Sequence, residues 1–542
     1  MAQQQWYKGA VIYQVYPRSF QDTNGDGIGD LKGIISRIDY IKSLGVDAIW
    51  ISPFFKSPMK DFGYDISDYR DIDPLFGDLS DFDELIAQAH QRDIKIIIDQ
   101  VLSHTSDQHQ WFLDSREDKT NDKSDWYVWA DSKPDGTQPN NWLSIFGGPA
   151  WQWEPRRGQY YLHNFLTEQP DLNFHNPDVR KAVLDNVEFW LKKGVDGFRL
   201  DAINFCYHDA QLRDNPAKPP EKRQGRGFSE DNPYAFQYHD YNNTQPENIS
   251  FMQDIRALLN HYPGTVSLGE ISSEDSLATM AQYTADGDKL HMGYSFELLT
   301  NDYSSEYIRT TVRTLEERMT EGWPCWAFSN HDVERVASRW STDNTINPAQ
   351  CKMLTALLAS LRGSVCMYQG EELGLGEAQV AFEDLQDPYG ITFWPNFKGR
   401  DGCRTPMPWD ADSGEHAGFS PEKPWLPVDA AHKSQSVKEQ DAASDSILNA
   451  FREFMQWRKT QPVLIEGDIE FIETSEPLLA FYRRYEGKTM LCVFNLSVNS
   501  ACLVLDGMVL KAHNALPHQT GTLDTNNTLT LPGFGCFYAD VN

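Results

Sequence analysis

Short apolar runs alternate with longer amphipathic segments through the first two-thirds of the chain. Each run is mostly apolar on both of its faces. Both faces would therefore be buried, which is typical of strands in a parallel sheet. The sequence therefore predicts a parallel sheet built from the eight runs at residues 10–17, 46–52, 94–101, 194–201, 265–270, 289–298, 323–332 and 363–372.

The segments between these runs carry helical patterns. In residues 177–194 apolar side chains recur on one helical face, and Gly194 stands where a helix would end. Seven intervals show such a pattern clearly, and residues 446–460 predict the last helix. Eight strands alternating with helices predict an α/β fold, a (β/α)8 or TIM barrel.

Three segments do not fit a simple barrel. Residues 104–176 are rich in Trp, Pro, Asn and Gly, and they predict a small domain inserted after the third strand. Residues from about 375 to 445 predict a second, loop-like insertion. From residue 466 to 542 the pattern changes to alternating strands, which predict a C-terminal antiparallel β domain. The barrel itself would comprise residues 1–103 and 177–465.

Composition narrows the class of partner. The chain of 542 residues has 79 acidic and 48 basic side chains and a net charge of −31, which disfavours nucleic-acid binding. No apolar stretch reaches 18 residues, and the N-terminus lacks the regions of a secretion signal, so no membrane partner is expected. The eight cysteines lack metal-site spacing and predict free thiols, which favours a cytoplasmic protein. We expect a monomer or a homodimer.

Charged side chains stand at the ends of several predicted strands. Asp201 ends the fourth run, Glu270 ends the fifth, and Asp332 follows the seventh. In a (β/α)8 barrel the carboxyl ends of the strands meet at one mouth, where the chemistry takes place. The same mouth would receive further polar side chains, namely Asp99, His104, Arg199 and His331.

Paired carboxylates without a metal-ligand cluster suit cleavage of a glycosidic bond. One carboxylate attacks the anomeric carbon and a second, protonated, donates to the leaving oxygen; at a separation of about 5–5.5 Å the product keeps its configuration. Arg199 lies two residues before Asp201, on the same strand face. Its charge is expected to keep Asp201 ionised.

The motifs at these strand ends resemble the signature regions of glycoside hydrolase family 13, the α-amylase family. An additional motif, QPDLNF, resembles one typical of its α-glucosidase and oligo-1,6-glucosidase members. The resemblance covers essentially the whole chain and thins out in the C-terminal β domain. The motifs are DQVLSH (99–104), QPDLNF (169–174), GFRLD (197–201), TVSLGE (265–270) and SNHD (329–332).

This resemblance implies a role for each matching position. Asp201 would be the nucleophile, Glu270 the general acid/base, and Asp332 the carboxylate that binds sugar hydroxyls and stabilises the transition state. The substrate-binding side chains would be Asp61, Tyr64, His104, Arg199, His331 and Arg400, with Phe165 as a further aromatic candidate. The alternatives are a surface salt bridge for Asp61 and Arg400, and ordinary packing for Tyr64 and Phe165.

The segment QDTNGDGIGD (21–30) is a candidate metal site. Oxygen ligands on a Gly-rich loop suit Ca²⁺ or Mg²⁺. An EF-hand is rejected because Gly33 occupies the position of its required glutamate. The loop also resembles a structural calcium site of oligo-1,6-glucosidase relatives, and the alternative is a polar turn that caps the next helix. The ligands would come from Asp22, Asn24, Asp26, Ile28 and Asp30.

The sequence thus predicts a retaining, exo-acting α-glucosidase that acts on short α-glucosides, and transglucosylation is left open as a further activity. Ala202, directly after Asp201, favours α-1,4 over α-1,6 linkages because a small side chain leaves room for the leaving sugar. The long loop 207–234 either walls off the acceptor side or is a solvated insertion.

Several alternatives remain open at this point. On the same fold they are an oligo-1,6-glucosidase, a sucrose hydrolase or isomerase, and a trehalose synthase. From other classes they are a catalytically silent partner subunit and a metal-dependent barrel hydrolase.

Overall fold

A computed structural model describes residues 5–223, 231–341, 345–505, 507–512 and 519–541. The eight predicted strands are all present, and they form one parallel sheet. They are β1 (Val11–Val15), β2 (Ala48–Ile51), β3 (Lys95–Val101), β4 (Gly197–Asp201), β5 (Val266–Ile271), β6 (Met292–Ser295), β7 (Cys325–Ala327) and β8 (Ser364–Tyr368).

The sheet curves into a barrel. Its strands pair in the order β6-β5-β4-β3-β2-β1-β8-β7, and a parallel bridge between Gly293 and Pro324 brings β6 to β7. Every barrel strand is buried along its length, apart from partial exposure of Lys95 at the start of β3. The predicted (β/α)8 fold is confirmed.

Helices follow each strand and cover the outside of the barrel. Their starts are fixed by local chemistry: Asp78 forms a reciprocal capping box with Asp81, and Asn176 caps the helix that begins at Pro177. That helix ends at Lys192, and Gly194 follows with φ of 95°, as a helix stop requires. The barrel helices are Leu31–Ser36, Ile38–Ser43, Leu79–His90, Pro177–Lys192, Asn248–Asn260, Ser276–Thr284, Ser305–Arg318, Pro348–Leu358 and Ile447–Lys459.

Between β3 and the helix Pro177–Lys192 the chain forms a small three-stranded antiparallel sheet. Its strands are Trp129–Ala130, Trp151–Glu154 and Gln159–Leu162, and the last of these lies in the middle. The segment has an apolar cluster of its own, around Trp142 and Trp151. We call residues 104–176 domain B.

The insertion after β8 contains three short helices, Pro388–Phe393, Ala430–Lys433 and Val437–Ala442, separated by irregular chain. The loop after β4 is also irregular, and residues 224–230 within its predicted 207–234 segment lie outside the described residues. Both segments approach the barrel mouth, as the site below shows.

The C-terminal part consists of antiparallel strands. A five-stranded sheet contains, in spatial order, Asp468–Ile472, Leu478–Tyr485, Lys488–Asn495, Cys536–Val541 and Leu510–Ala512. A three-stranded sheet contains Ala501–Val504, Thr528–Leu531 and Thr522–Leu523. The buried guanidinium of Arg483 joins this part to the barrel by donating to the carbonyls of Ser360 and Leu361.

All eight cysteines are free thiols, and Cys502 is exposed whereas the other seven are buried. Among the described residues, none of the helices combines the length and the apolar character needed to cross a bilayer.

Candidate active site

The three acids predicted from the strand ends line one pocket at the barrel mouth. Asp201 is the last residue of β4, Glu270 lies one residue before the end of β5, and Asp332 lies in the loop after β7. The pocket and its opening span about 770 Å³. Its other lining residues are Asp61, Tyr64, His104, Ile145, Phe146, Phe165, Gln169, Ala202, Phe205, Ser272, Phe296, Tyr389 and Arg400.

Arg199 lies fully buried beneath this pocket and holds the carboxylates together. Its Nη1 atom donates to Asp99 at 2.9 Å and to Asp201 at 2.6 Å, while its Nη2 atom donates to Glu270 at 2.5 Å. The guanidinium also lies 4.8 Å from the ring centre of Trp50. A buried charge needs partners, and here three carboxylates supply them.

Both carboxyls of the proposed catalytic pair are harder to ionise than usual. Burial raises the pKa of Asp201 to about 7, against the lowering effect of Arg199. Burial likewise raises the pKa of Glu270 to about 7, and the charges of Asp201 and Asp332 raise it further. Because the two groups share one guanidinium and repel each other, the pair holds a proton jointly near neutral pH. Arg199 therefore does not keep Asp201 ionised on its own.

Glu270 is fixed in place by three donors. Besides Arg199, the hydroxyl of Tyr294 donates to Oε1 at 3.0 Å and the backbone N–H of Ala202 donates to Oε2 at 3.0 Å. Ala202 reaches this position in the left-handed region, with φ of 38° and ψ of 47°. Such a conformation is costly for a residue with a side chain, and it occurs directly after the proposed nucleophile.

Asp332 has the opposite electrostatic environment. Burial alone would raise the pKa of Asp332, but its interactions with the neighbouring His331 and with the guanidinium groups of Arg400 and Arg404 hold it well below its usual range. Arg404 Nη2 donates to Asp332 at 2.9 Å and Arg400 Nη1 donates to it at 3.3 Å. Asp332 therefore stays ionised at neutral pH, whereas the pair of Asp201 and Glu270 is partly protonated there.

A hydrogen-bond chain orients Tyr64 and His331. The amide of Gln14 donates to His331 Nδ1 at 2.7 Å, so the ring proton resides on Nε2, 2.6 Å from the Tyr64 hydroxyl oxygen. The hydroxyl of Tyr64 in turn donates to Asp99 at 3.0 Å. The rings of Tyr64 and His331 stack with centres 5.3 Å apart, and Tyr64 lines the pocket.

Asp61 and Arg400 form an ion pair of 2.8 Å that is buried in the pocket wall instead of lying on the surface. Arg400 is also held by two bonds to the fully buried Asp387, from Nη2 at 2.8 Å and from Nε at 3.1 Å. Gln169, from the QPDLNF motif, donates to the second oxygen of Asp61 at 3.1 Å. This group closes one side of the pocket.

His104 and Phe165 lie side by side in the same pocket, with ring centres 5.0 Å apart. Burial lowers the pKa of His104 to about 4, so its ring is neutral at physiological pH. Its Nε2 atom lies 3.0 Å from the carbonyl oxygen of Tyr64. The structure therefore places all ten predicted catalytic and substrate-binding residues in or directly beneath one pocket.

Several side chains of the site are missing from the sequence prediction. Asp387, Tyr389 and Phe146 come from the two insertions, where no periodicity marks a position as inward-facing. Arg404 follows Arg400 by four residues within GRDGCRTPMPWD, and that proximity is the signal that could have indicated it. Tyr294 lies inside the sixth apolar run, where a tyrosine is indistinguishable from core.

The loop 21–30 supplies oxygen atoms of the kind that Ca²⁺ prefers. Asp22 accepts from the backbone N–H groups of Asn24, Gly25 and Gly27, while Asp30 accepts from Gly33 and caps the following helix. The donor set fits a calcium or magnesium ion by its chemistry. In the described ranges, however, no group of three or more His, Cys, Asp or Glu side chains is placed so that it could hold a metal ion.

A family model named "Alpha amylase, catalytic domain" matches residues 14–467. The chain belongs to the α-amylase family, glycoside hydrolase family 13. The sequence-based assignment to the glucosidase subgroup is confirmed by relatives that align over nearly the whole chain.

Two curated relatives illustrate this likeness. A probable alpha-glucosidase of Rhizobium meliloti (strain 1021) is 53% identical over 98% of this chain and 97% of its own length. An oligo-1,6-glucosidase of Heyndrickxia coagulans is 38% identical over 92% of this chain and 93% of its own length.

Solved structures agree with these relatives. The crystal structure of the alpha-glucosyl transfer enzyme XgtA superimposes with a TM-score of 0.98 at 63% identity, covering 100% of both chains. The trehalulose synthase MutB from Pseudomonas mesoacidophila MX-45 superimposes with a TM-score of 0.88 at 32% identity, covering 99% of both chains.

The raised pKa values predict a pH-dependent stability effect. Carboxyls of unfolded chains titrate near pH 4, roughly three units below the value of about 7 for folded Asp201 and Glu270. The folded state therefore binds the protons more tightly, so the stabilisation is present at low pH and is lost as the pH rises through about 7. We expect Asp201→Asn to raise the melting temperature more at pH 8 than at pH 5.

Differential scanning calorimetry at the two pH values measures this difference. The control is Asp83→Asn, which removes an exposed carboxylate outside the pocket. Equal shifts at pH 5 and pH 8 for Asp201→Asn would show that burial does not penalise the ionised pair.

Proposed function

We propose that this enzyme is a retaining, exo-acting α-glucosidase that removes glucose from short α-glucosides by double displacement. The observation that carries the proposal is that Asp201 and Glu270 line one pocket and share the buried guanidinium of Arg199 beneath it. Their environments supply one proton to the pair near neutral pH, which is the charge state that the first step requires.

In the first step the carboxylate of Asp201 would attack the anomeric carbon of glucose. The carboxyl of Glu270 would give its proton to the glycosidic oxygen as that bond breaks, leaving a glucosyl ester on Asp201. Glu270, then ionised, would take a proton from water or from an acceptor alcohol, whose oxygen displaces Asp201 and regenerates it. The configuration at the anomeric carbon is inverted twice and so retained.

Asp332 would bind sugar hydroxyls as a permanent carboxylate, because Arg400 and Arg404 hold it ionised. Its charge also stabilises the positive character that develops on the sugar ring in the transition state. Tyr64 and His331 would contact the same glucose unit, and Arg199 would act through the two catalytic carboxyls.

The proposal of exo-action is supported by a buried ion cluster. Asp61 and Arg400 line the pocket and Asp387 holds Arg400 from behind, and this cluster would block a chain that continues beyond a terminal glucose unit. Transfer of glucose to an alcohol instead of water would use the same intermediate. The similarity to an enzyme described as an alpha-glucosyl transfer enzyme supports such transfer by this chain.

Linkage preference is proposed to be α-1,4. Ala202 lines the pocket beside Glu270, and its single methyl group leaves more space than a larger side chain would. The second candidate is α-1,6 preference, which is favoured by the relatives named oligo-1,6-glucosidase.

The loop 21–30 is proposed to bind one Ca²⁺ or Mg²⁺ ion with a structural role. The ligands would be oxygen atoms of Asp22, Asn24, Asp26, Ile28 and Asp30. The loop lies at the start of the helix Leu31–Ser36 and contacts Ser420 through Asp22, so an ion here would tie the first barrel helix to the insertion after β8.

The proposed mechanism is tested by the stereochemistry of the product. In proton NMR of p-nitrophenyl α-glucoside hydrolysis, where the cleaved residue is the only source of glucose, we expect α-glucose to appear first and β-glucose only later by mutarotation. Glu270→Gln should lower kcat/KM on maltose by about 10²- to 10⁴-fold, since proton donation is lost. On α-glucosyl fluoride the same variant should lose far less of the rate of the first step, glycosylation, because fluoride leaves without needing a proton. Initial β-glucose, or equal losses on both substrates, would contradict the assignment.

The linkage hypothesis predicts that Ala202→Val shifts the ratio of kcat/KM for maltose to isomaltose toward isomaltose. Because Ala202 has φ of 38°, a β-branched side chain should also cost about 1–2 kcal/mol of stability. Ala202→Gly is the matched control, since it relieves the backbone strain without adding volume, and its ratio should stay near that of the parent. An unchanged ratio in a folded Ala202→Val enzyme would remove the argument from side-chain size.

The ion proposal predicts that EDTA lowers the melting temperature and that added Ca²⁺ or Mg²⁺ restores it. Asp26→Ala should weaken this response because it removes one of the proposed ligands. The side chain of Asp26 is exposed and bonds only within the loop, which makes the substitution a local one. Elemental analysis of the purified enzyme by mass spectrometry identifies the ion. A melting temperature that responds to neither EDTA nor added cation would rule out a structural ion here.

A further inference from the structure

Asn232 is a fully buried amide in the loop after β4, just before the short turn Pro233–Phe236. Its Oδ1 atom accepts from the backbone N–H of Tyr234 at 3.0 Å, which caps that turn. Its Nδ2 atom donates to the carbonyl oxygen of Ile145 at 2.6 Å and to the hydroxyl of Tyr389 at 3.1 Å. One side chain thus joins three segments that are distant in sequence.

The two acceptors belong to residues that line the sugar pocket, whereas Asn232 itself lies behind them. Ile145 comes from domain B and Tyr389 from the insertion after β8. The ring of Phe146 meets that of Tyr389 edge-on, with centres 5.4 Å apart. The guanidinium of Arg400 lies 5.2 Å from the ring centre of Phe146. The bonds of Asn232 therefore reach the sugar-binding arginine through two packed aromatic rings.

The burial of Asn232 gives these bonds their consequence. If domain B and the insertion moved apart, the amide would lose both of its acceptors, and each lost hydrogen bond would cost free energy. The bonds of Asn232 therefore favour the arrangement in which Ile145, Phe146 and Tyr389 lie together in the wall of the pocket.

We propose that Asn232 is a positioning residue that fastens the rim of the pocket and thereby sets the preference for short substrates. It acts through Ile145 and Tyr389, and it takes no part in the chemistry. The proposal rests on the proposed function, since a chain-length preference has meaning only for an exo-acting α-glucosidase. When the fastening is lost, the rim loops separate and longer α-glucans gain access to the catalytic pair.

Two variants separate this role from simple folding. Asn232→Ser keeps a hydroxyl that can cap the turn at Tyr234, but it is too short to reach Ile145 and Tyr389. Tyr389→Phe removes only the hydroxyl acceptor. Asn215→Ala is the matched control: it removes a buried amide from the same loop, where the side chain of Asn215 bonds Asn242 at 2.8 Å and Tyr241 at 3.0 Å, neither of which lines the pocket.

The measurement is kcat/KM on maltose and maltotetraose, with p-nitrophenyl α-glucoside as a third substrate. For Asn232→Ser we expect the maltotetraose-to-maltose ratio to rise roughly threefold or more, with the change in KM larger than that in kcat. Tyr389→Phe should shift the ratio in the same direction by less, and Asn215→Ala should leave it near the parental value.

Each outcome decides one question. A parent enzyme that releases no glucose from any of the three substrates would refute the proposed function itself. If the parent enzyme does release glucose but both rim variants leave the maltotetraose-to-maltose ratio unchanged, the role of Asn232 alone would be refuted. The same rise in Asn215→Ala would show that general loosening of the loop, and not the bonds of Asn232 to the rim, sets chain-length preference.

Discussion

One buried guanidinium is the constraint on which the rest of the site depends. Arg199 is fully buried inside the barrel, and among the described residues its ion pairs are with Asp99, Asp201 and Glu270. Because β3, β4 and β5 are neighbours in one parallel sheet, their carboxylates reach the same cation from three sides. The fold thus brings two buried acids to one guanidinium. Their burial and mutual repulsion raise both pKa values, so that the pair shares a proton near neutral pH.

A second cluster of charges lies in the wall of the pocket. Asp332, Asp61 and Asp387 lie beside Arg400 and Arg404, and the charges of these two guanidinium groups hold the pKa of Asp332 low. In the proposed mechanism the two clusters would have different roles: Asp201 and Glu270 would move a proton at the bond to be broken, and Asp332 would hold a fixed negative charge near the sugar. A single kind of carboxylate environment could not supply both.

The sequence indicated the barrel and the catalytic acids because both follow simple rules. Strands buried on both faces give continuous apolar runs, and a charge that ends such a run, like Asp201, must face the mouth. The rim was not predictable in this way. Asp387, Tyr389 and Asn232 lie in irregular insertions, where the direction of a side chain depends on tertiary contacts that have no period in the sequence. The joint proton of Asp201 and Glu270 also escaped prediction, since it depends on burial and spacing together.

The central claim is that Asp201, made available by this shared protonation, forms a covalent bond to glucose. The most direct test is to incubate the enzyme with a fluorinated α-glucosyl fluoride whose ester is hydrolysed slowly, and to map the adduct by peptide mass spectrometry. The account predicts one added fluoroglucosyl group on the peptide that contains Asp201. An adduct on Glu270 or Asp332, or turnover of the reagent with no adduct at all, would contradict it.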